Sequence, residues 1–338
     1  MSAPLAGDGS RRALVAPETP ALRILSDGRA GHEAQALGLA EAMGLKPEIA
    51  RVNPRPFFAA LAPFGPIDWR ERETVDGSPI GPPYPDIAIG AGRRALPYLR
   101  RLKQASKRRT FTVYLNRPAN GARAADLVVA PVHDGLFGRN VVAPITPPNR
   151  ISKELLARLR KAPDPRVAAL LRPRAALLIG GDNRHFRYSK ATAAALRDAV
   201  RQIAAQGFSV MATASRRTPA YVVEALAPEI AACGGWLWDG TGDNPYFSML
   251  AKAETILVTA DSVSMIGEAA ATGAPVYVFA VAGGSRKIAD YLLKLETLGA
   301  VRPWTGVVES WTYEPVQSTP QVAQAVWRAY KIYRGVPD

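Results

Sequence analysis

The sequence contains one cysteine, Cys233, and only three histidines among its 338 residues. A single cysteine excludes a disulfide framework and indicates a reducing compartment. So few sulfur and imidazole ligands also exclude a cysteine-histidine metal site, and we predict no metal ligand. No apolar run approaches the roughly 20 residues that a membrane-spanning helix needs. We therefore expect a cytoplasmic protein.

The N-terminal segment, MSAPLAGDGSRRALVAPETP, lacks the uninterrupted apolar stretch of a secretion signal. Prolines and a glutamate break it, so its Arg-Arg pair does not indicate a twin-arginine leader. We predict that residues 1–20 form a disordered tail.

Acidic residues are scarce, and the formal net charge is +14. The segment from Ile87 to Ala125 contains ten basic residues and no acidic one. Such a run is either a solvated helix face or a surface for anions, and each basic side chain near an anionic leaflet contributes about 1 kcal/mol. Arg93–Arg109 could thus hold the protein on the inner face of the cytoplasmic membrane. Nucleic acid is not expected, since aromatics and recognition motifs are missing, and the sequence does not indicate an oligomeric state.

Short apolar runs alternate with helical patterns along most of the chain, which is typical of α/β proteins with parallel sheets covered on both faces. The proline-rich stretch PITPPNR, residues 144–150, separates two such units. We predict two facing Rossmann-like domains, residues 21–148 and 149–318, with a cleft between them. Residues 319–338 are predicted to form a C-terminal helix that crosses back to the first domain.

The predicted strands and helices follow from these patterns. The strands are 22–25, 86–90, 110–115, 127–131, 141–145, 175–179, 209–213, 236–238, 255–259 and 276–279. The helices are 33–43, 95–104, 190–206, 219–233, 244–252, 262–272, 285–298 and 320–333.

Glycines, small hydroxyl residues and arginines follow most of the predicted strands. Examples are SDGRAGH, GGDNRHF, ATASRRTP and TADSVS. Such loops let backbone N–H groups approach an anion at a helix N-terminus. A single glycine pair also forms tight turns, and neither a Walker A motif nor G-x-G-x-x-G is present. Their repetition at one end of two sheets predicts a phosphate or diphosphate site.

The stretch AETILVTADSVSMIGEAAATGAPVYVF reads as strand, loop, helix and strand. It resembles the nucleotide-binding unit of GT-B glycosyltransferases, especially the N-acetylglucosaminyltransferase that makes lipid II. The resemblance implies that Glu268 chelates the ribose hydroxyls and that Asp261, Ser262 and Ser264 border the diphosphate. A carboxylate can accept from two vicinal hydroxyls at once. The alternative is that Glu268 is a solvated helix residue.

The stretch SDGRAGHEAQALGLAEAMG is similar to the first glycine loop of that enzyme. The likeness implies an acceptor loop at Gly28, Arg29 and Gly31, with His32 as candidate base. An imidazole can take a proton from a hydroxyl at neutral pH, and Asp27 could orient it or cap the helix. The alternative for His32 is a helix-cap contact.

His133 also ends a predicted strand of the first domain. It is assigned to the acceptor side, where it could compete with His32 for the role of base. A purely structural contact is the alternative.

The stretch IGGDNRHF resembles the glycine loop that opens the second domain of that enzyme and implies diphosphate contacts from Gly180, Gly181 and Asn183. Asp182 departs from the pattern, because it adds negative charge that Arg184 or Arg187 would have to offset.

The loop ATASRRTP supplies the best diphosphate ligands by residue type, Ser215, Arg216 and Arg217, since arginine binds phosphate with a planar fork. A solvated pair at a helix start is the alternative.

Five separated motifs between Leu22 and Tyr333 together resemble the mitochondrial-fission ELM family, which implies a GT-B-like fold. The motifs are DGRAGHEAQALGLAEA, GGDNRHFRYS, TASRRTP, NPYFSMLAKAETILVTADSVSMIGEA and GAPVYVF.

These resemblances imply a glycosyltransferase that works without metal or cofactor. It would move a sugar from a nucleoside-diphosphate donor, with UDP as the default, to a lipid-linked or envelope glycan. Two alternatives stay open. One is a hydrolysing nucleotide-sugar 2-epimerase using the carboxylates of Asp27, Glu33 and Asp182, and the other is a non-enzymatic membrane-associated adaptor.

Overall fold

The computed structural model describes residues 19–335, so the predicted tail at residues 1–20 lies outside the described residues except for its last two positions. Within that range the chain forms two six-stranded sheets, each entirely parallel and flanked by helices. The architecture is the α/β, GT-B-like arrangement of two Rossmann-like units.

The first sheet contains the strands of the N-terminal half. In chain order they are β1 (Leu22–Ser26), β2 (Pro47–Arg51), β3 (Ile87–Ala91), β4 (Phe111–Leu115), β5 (Leu127–Val129) and β6 (Val141–Val142). In space the order is β2-β1-β3-β4-β5-β6. The strand order therefore reverses between β1 and β3.

The second sheet contains the strands of the C-terminal half. In chain order they are β7 (Arg174–Ile179), β8 (Ser209–Ala214), β9 (Trp236–Trp238), β10 (Thr255–Thr259), β11 (Val276–Phe279) and β12 (Val301–Pro303). In space the order is β12-β11-β10-β7-β8-β9, which reverses between β7 and β10.

Helices cover both faces of each sheet. They are α1 (Ala30–Ala42), α2 (Pro56–Leu61), α3 (Ala95–Ala105), α4 (Lys153–Lys161), α5 (Pro165–Ala168), α6 (Lys190–Ala205), α7 (Ala220–Ala232), α8 (Tyr246–Lys252), α9 (Val263–Ala270), α10 (Arg286–Thr297) and α11 (Thr319–Arg334). The central strands are buried along their whole length, as their continuous apolar sequences predict.

The last helix, α11, returns to the first sheet. Val322, Val326 and Tyr330 recur at helical spacing and join the buried cluster of that sheet. Arg334 pairs with Asp86 at 2.9 Å between Nη1 and Oδ1. The C-terminal helix thus crosses back to the N-terminal half of the molecule.

Two segments cross between the halves side by side. The Oγ1 of Thr146 lies 3.0 Å from the Oγ of Ser318, and the N–H of Asn149 donates to the Oγ1 of Thr319 at 2.9 Å. Ligands of open parallel sheets bind beyond the carboxyl ends of the strands, where the strand order reverses. The β1/β3 and β7/β10 edges are therefore the expected ligand-binding positions of the two sheets.

Candidate functional site

Asp27 and His32 meet at the reversal point of the first sheet. Asp27 directly follows β1, and His32 lies in the first turn of α1. Nδ1 of His32 lies 3.0 Å from Oδ1 of Asp27, which also accepts a 3.2 Å hydrogen bond from the N–H of Arg29. Because a carboxylate only accepts hydrogen bonds, Nδ1 is the donor and the lone pair of the neutral ring lies on Nε2.

The surroundings keep this carboxylate ionised. The Asp27 side chain is 4% exposed and that of His32 is 24% exposed. Burial would raise the pKa of Asp27, but the hydrogen bond and charge of His32, with the Arg29 N–H, lower it. Nε2 of His32 has no hydrogen-bond partner among residues 19–335. It is the atom of this pair that can take a proton from a bound molecule.

Gly92, the first residue after β3, leaves room for the pair. A Cβ at this position would lie 2.3 Å from Oδ2 of Asp27 and 2.6 Å from Nδ1 of His32. The φ angle of +92° also favours glycine. Since β1 and β3 are neighbours, the two strand ends place Gly92 directly against Asp27.

The other loop residues assigned to the acceptor lie around the same turn. Gly28 has a φ of +77° and nothing within 4 Å of its Cβ position. Arg29 is exposed, with its Nε 3.7 Å from Oδ2 of Asp27.

Glu33, the next carboxylate on α1, is held by neighbouring side chains. Its Oε1 accepts from Ser26 at 2.7 Å and from Arg51 at 2.9 Å. The hydrogen bond from Arg51 is the largest cause of its lowered pKa, ahead of the opposing effect of burial.

Gly180 and Gly181 lie at the reversal point of the second sheet, between β7 and β10. The N–H of Gly181 donates to Oδ2 of Asp261 at 2.8 Å, and the hydroxyl of Tyr188 donates to Oδ1 of Asp261 at 2.7 Å. A Cβ on Gly180 would lie 2.1 Å from that carboxylate, and one on Gly181 would lie 2.2 Å from the backbone of Arg217. The Asp261 carboxylate therefore packs directly against the glycine loop and holds it by a hydrogen bond.

The polar residues after the glycines fold the loop back on itself. Oδ1 of Asn183 accepts from the N–H groups of His185 and Phe186, at 2.8 and 3.1 Å. Oδ1 of Asp182 accepts from the N–H of Tyr188 at 2.8 Å, and its Oδ2 lies 3.7 Å from Nη1 of Arg187. Arg187 is therefore the arginine that offsets Asp182.

Arg216 and Arg217 stand exposed beside the glycine loop. Neither guanidinium has an ion-pair partner among residues 19–335. The Oγ of Ser215 accepts from the N–H of Arg217 at 3.2 Å, which fixes the turn that carries both arginines. Backbone N–H of Asp182 donates to the carbonyl of Arg217 at 3.1 Å and joins this turn to the glycine loop.

The two sheets point their strand ends at each other. The Cβ position of Gly31, in the first turn of α1, lies 4.0 Å from Oγ of Ser264, in the first turn of α9. Ser262 caps α9, its Oγ accepting from the N–H of Met265 at 3.4 Å. The N-termini of α1 and α9, which are the positive ends of the helix dipoles, therefore face each other across the cleft.

Glu268 is buried, at 9% exposure, on α9. Its Oε2 accepts a 2.6 Å hydrogen bond from the hydroxyl of Tyr246. Burial raises its pKa to about 7, against the opposing effect of that hydrogen bond. The predicted contact with ribose requires that Tyr246 shares this carboxyl group with the ligand or moves away from it.

His133 contacts the second half of the molecule. Its ring stacks on Tyr291 of α10 with the centroids 4.6 Å apart, and its Nδ1 is buried without a hydrogen-bond partner. Burial lowers the pKa of His133 to about 4. Its neighbour Asp134 pairs with Lys287 of α10. The His133 ring thus makes a structural contact between the two halves of the molecule, which was the alternative to a role as base.

The basic run at residues 93–109 does not form one surface. Arg101 pairs with Glu73, Lys103 pairs with Asp126, and Arg100 donates to the carbonyl of Pro63. The exposed basic residues that remain stand at the two ends of α3. They are Arg93 and Arg94 at its N-terminal end, and Lys107, Arg108 and Arg109 at its C-terminal end.

Sequence reasoning did not single out Gly92 or Tyr188 as parts of the site, nor the contact between Tyr246 and Glu268. Gly92 lies in the loop GAGRR at the end of β3, and its contact with Asp27 depends on the pairing of β1 with β3. Tyr188 and Tyr246 reach their carboxylates across 73 and 22 residues of sequence. Contacts over such separations do not appear as a local motif in the sequence.

The sequence profile described as Mitochondrial fission ELM1 matches residues 30–330. The chain belongs to this family. The Mitochondrial fission protein ELM1 of Arabidopsis thaliana is 30% identical over 271 residues, which are 72% of this chain. The match spans 64% of the length of the plant protein.

Solved structures show the same fold at low identity. A UDP-GlcNAc 2-epimerase from Methanocaldococcus jannaschii superposes with a TM-score of 0.51 at 10% identity, over 91% of this chain and 99% of the epimerase. A putative UDP-N-acetylglucosamine 2-epimerase from Listeria monocytogenes gives a TM-score of 0.54 at 10% identity, over 94% of this chain and 97% of that protein. Between residues 19 and 335, no helix of this family member is both long and apolar enough to cross a membrane.

Proposed function

We propose that this ELM1-family chain is a glycosyltransferase that moves a sugar from a nucleoside-diphosphate sugar to an acceptor hydroxyl. UDP is the expected nucleotide, and a lipid-linked or envelope glycan is the expected acceptor. The proposal rests on one observation: the two places where the strand order of a sheet reverses face each other across the cleft. One carries the Asp27–His32 pair, and the other carries the glycine loop with two arginines that have no ion-pair partner among residues 19–335.

The second sheet supplies the donor site. The glycine loop holds the turn that carries Arg216 and Arg217, and the diphosphate contacts fall to these arginines, because the N–H groups of Gly180 and Gly181 already donate to Thr259 and Asp261. Arg216 and Arg217 offer two guanidinium groups that no carboxylate of the described chain occupies. The N-terminus of α9 adds the positive end of a helix dipole. These groups would stabilise the charge that develops on the departing nucleoside diphosphate.

The first sheet supplies the base. The acceptor oxygen forms a bond to the anomeric carbon while the bond from that carbon to the diphosphate oxygen breaks. The hydroxyl proton passes to Nε2 of His32, and the ionised Asp27 stabilises the imidazolium that results. The short approach between Gly31 and Ser264 makes this transfer across the cleft feasible.

The epimerase alternative has less support from the site. The Methanocaldococcus jannaschii enzyme acts, by its name, on UDP-GlcNAc. Two of the three carboxylates available for such chemistry here, Asp27 and Glu33, have lowered pKa values, so neither holds a proton at neutral pH. Asp182 accepts from Tyr188 and lies near Arg187. A protonated carboxylic acid is therefore missing at Asp27 and Glu33.

Product analysis tests the proposal. The purified protein is incubated with UDP-sugars, with and without an extract of lipid-linked glycans, and the products are separated by chromatography. Acceptor-dependent release of UDP supports transfer. A changed sugar on intact or cleaved nucleotide without any acceptor favours the epimerase. Nucleotide binding with no turnover under any condition favours the adaptor.

A further inference from the structure

A cavity of about 450 Å³ opens beyond the ends of β2 and β3. Its lining combines cationic and small apolar residues with one amide, and it contains no carboxylate side chain. The lining residues are Asn53, Pro54, Pro56, Ala59, Ala60, Arg93 and Arg94. One lining residue, Arg93, directly follows Gly92, whose Cβ position lies against Asp27 and His32.

The two arginines of this cavity are available to a ligand. Arg93 is oriented by one hydrogen bond, from its Nη2 to the carbonyl of Ala59 at 3.0 Å. Arg94 is exposed and has no side-chain partner among residues 19–335. The nearby acidic residue Glu71 is already occupied by the N–H of Asn53, at 2.8 Å, and by the hydroxyl of Tyr98.

We propose that this cavity binds a phosphate or diphosphate group of the acceptor substrate. Two adjacent guanidinium groups at the start of the 11-residue helix α3 match the charge and the several oxygens of such a group. The donor diphosphate has its own arginines on the other sheet. This inference rests on the proposed function, because it assigns the acceptor of the same reaction.

The surface next to the cavity indicates what the phosphate carries. Phe57 and Leu61 of α2, and Phe64 just after it, are 68%, 41% and 66% exposed. Other residues of the same helix line the cavity, so an apolar surface adjoins the phosphate site. An organic phosphate with an apolar portion fits both, and its source is either a lipid or a free phosphate compound.

Titration with inorganic diphosphate, followed by melting temperature, tests the site. The titration uses protein carrying Arg216→Gln and Arg217→Gln, which removes the proposed donor contacts. Adding Arg93→Gln and Arg94→Gln should weaken diphosphate binding at least about tenfold, because each charge-assisted hydrogen bond is strong. Arg94→Gln alone should weaken it in the same direction without touching the Ala59 contact. The matched control, Lys107→Gln with Arg108→Gln, removes equal charge from the far end of α3 and should leave the affinity unchanged.

Co-sedimentation with phosphatidylcholine vesicles, with and without phosphatidic acid, separates the two sources. Binding to phosphatidic acid that Arg93→Gln/Arg94→Gln abolishes indicates a lipid phosphate. Diphosphate binding without vesicle binding indicates a free phosphate compound. The inference is overturned if no diphosphate binds, if the Arg93/Arg94 variants bind it unchanged, or if the control loses as much affinity. Failure of the proposed function would appear separately, as absent UDP binding by the wild type.

Discussion

A hydrogen bond of 3.0 Å between Nδ1 of His32 and Oδ1 of Asp27 ties the first turn of α1 to the end of β1. The hydrogen bond lies at a ligand-binding position of the sheet, because the strand order reverses at this edge. The bond leaves Nε2 of His32 free to accept a proton. Replacing His32 by Gln should therefore lower the rate of sugar transfer by about a hundredfold or more.

The measurement is the initial rate of transfer at saturating donor. UDP binding by the His32→Gln protein should stay unchanged, because the donor residues belong to the other sheet. Asp27→Asn should also slow transfer, since an amide neither fixes the tautomer nor stabilises the imidazolium. A His32→Gln protein with wild-type activity would remove histidine from the mechanism.

Gly92→Ala should damage the same pair by steric conflict. A Cβ there would lie 2.3 Å from Oδ2 of Asp27, whereas a Cβ on Gly77 meets nothing within 4 Å. Both glycines have positive φ angles, +92° and +69°. Each alanine should cost about 1 kcal/mol of backbone strain. Only Gly92→Ala, and not Gly77→Ala, should in addition lower the rate of sugar transfer, by at least about tenfold. Denaturant unfolding and transfer rates measure the two effects, and equal activity in both variants would contradict this reading.

Glu268 should make the stability of the protein depend on pH. Its pKa rises from the ordinary value of 4.5 to about 7 in the folded protein. Between these values the folded state keeps a proton that the unfolded state has lost. The free energy of unfolding therefore falls as pH rises from 4.5 through 7, by about 3 kcal/mol. Glu268→Gln removes this dependence, so the variant should gain stability relative to wild type toward pH 8. Denaturant unfolding at several pH values measures the difference, and parallel profiles would contradict it.

His133 should act in the opposite direction on the acid side. Burial lowers its pKa from 6.5 to about 4. The stability that comes from holding the ring neutral is complete above pH 6.5 and is lost as pH falls through 4. His133→Phe keeps a ring against Tyr291 but has no proton to gain. The wild type should therefore lose stability relative to this variant as pH falls from 6.5 to 4, measured by denaturant unfolding. A constant difference would show that the ring takes up a proton as readily in the folded protein as in the unfolded chain, so that its pKa is not lowered.

The fold was largely predictable from the sequence because buried parallel strands are continuous apolar runs. The predicted ranges of β9, β10 and β11 match the structure residue for residue. The edge strands β2 and β12 were not predicted. Pro47–Arg51 has one buried residue in five and Val301–Pro303 one in three, so neither shows an apolar run.

The site was predictable in part, where motifs are local. The stretch SDGRAGH contains both His32 and Asp27, which are only five positions apart. The burial of Glu268 was not predictable, because Tyr246 reaches it from another helix. The division of the basic run was also hidden, because Glu73 and Asp126, which pair with two of its members, lie outside residues 93–109.

Nucleotide binding at Arg216 and Arg217 is the most direct test of the proposed donor site. UDP, GDP, CMP, ADP and dTDP are compared by thermal shift on wild type, on Arg216→Gln/Arg217→Gln and on the control Arg158→Gln. At about 100 times its dissociation constant a ligand stabilises the folded state by roughly 2.7 kcal/mol, which a melting curve resolves. We predict that one nucleotide, UDP, stabilises the wild type and the control, and that the double variant loses this shift. No shift with any nucleotide, or a shift that the double variant retains, would contradict the donor site.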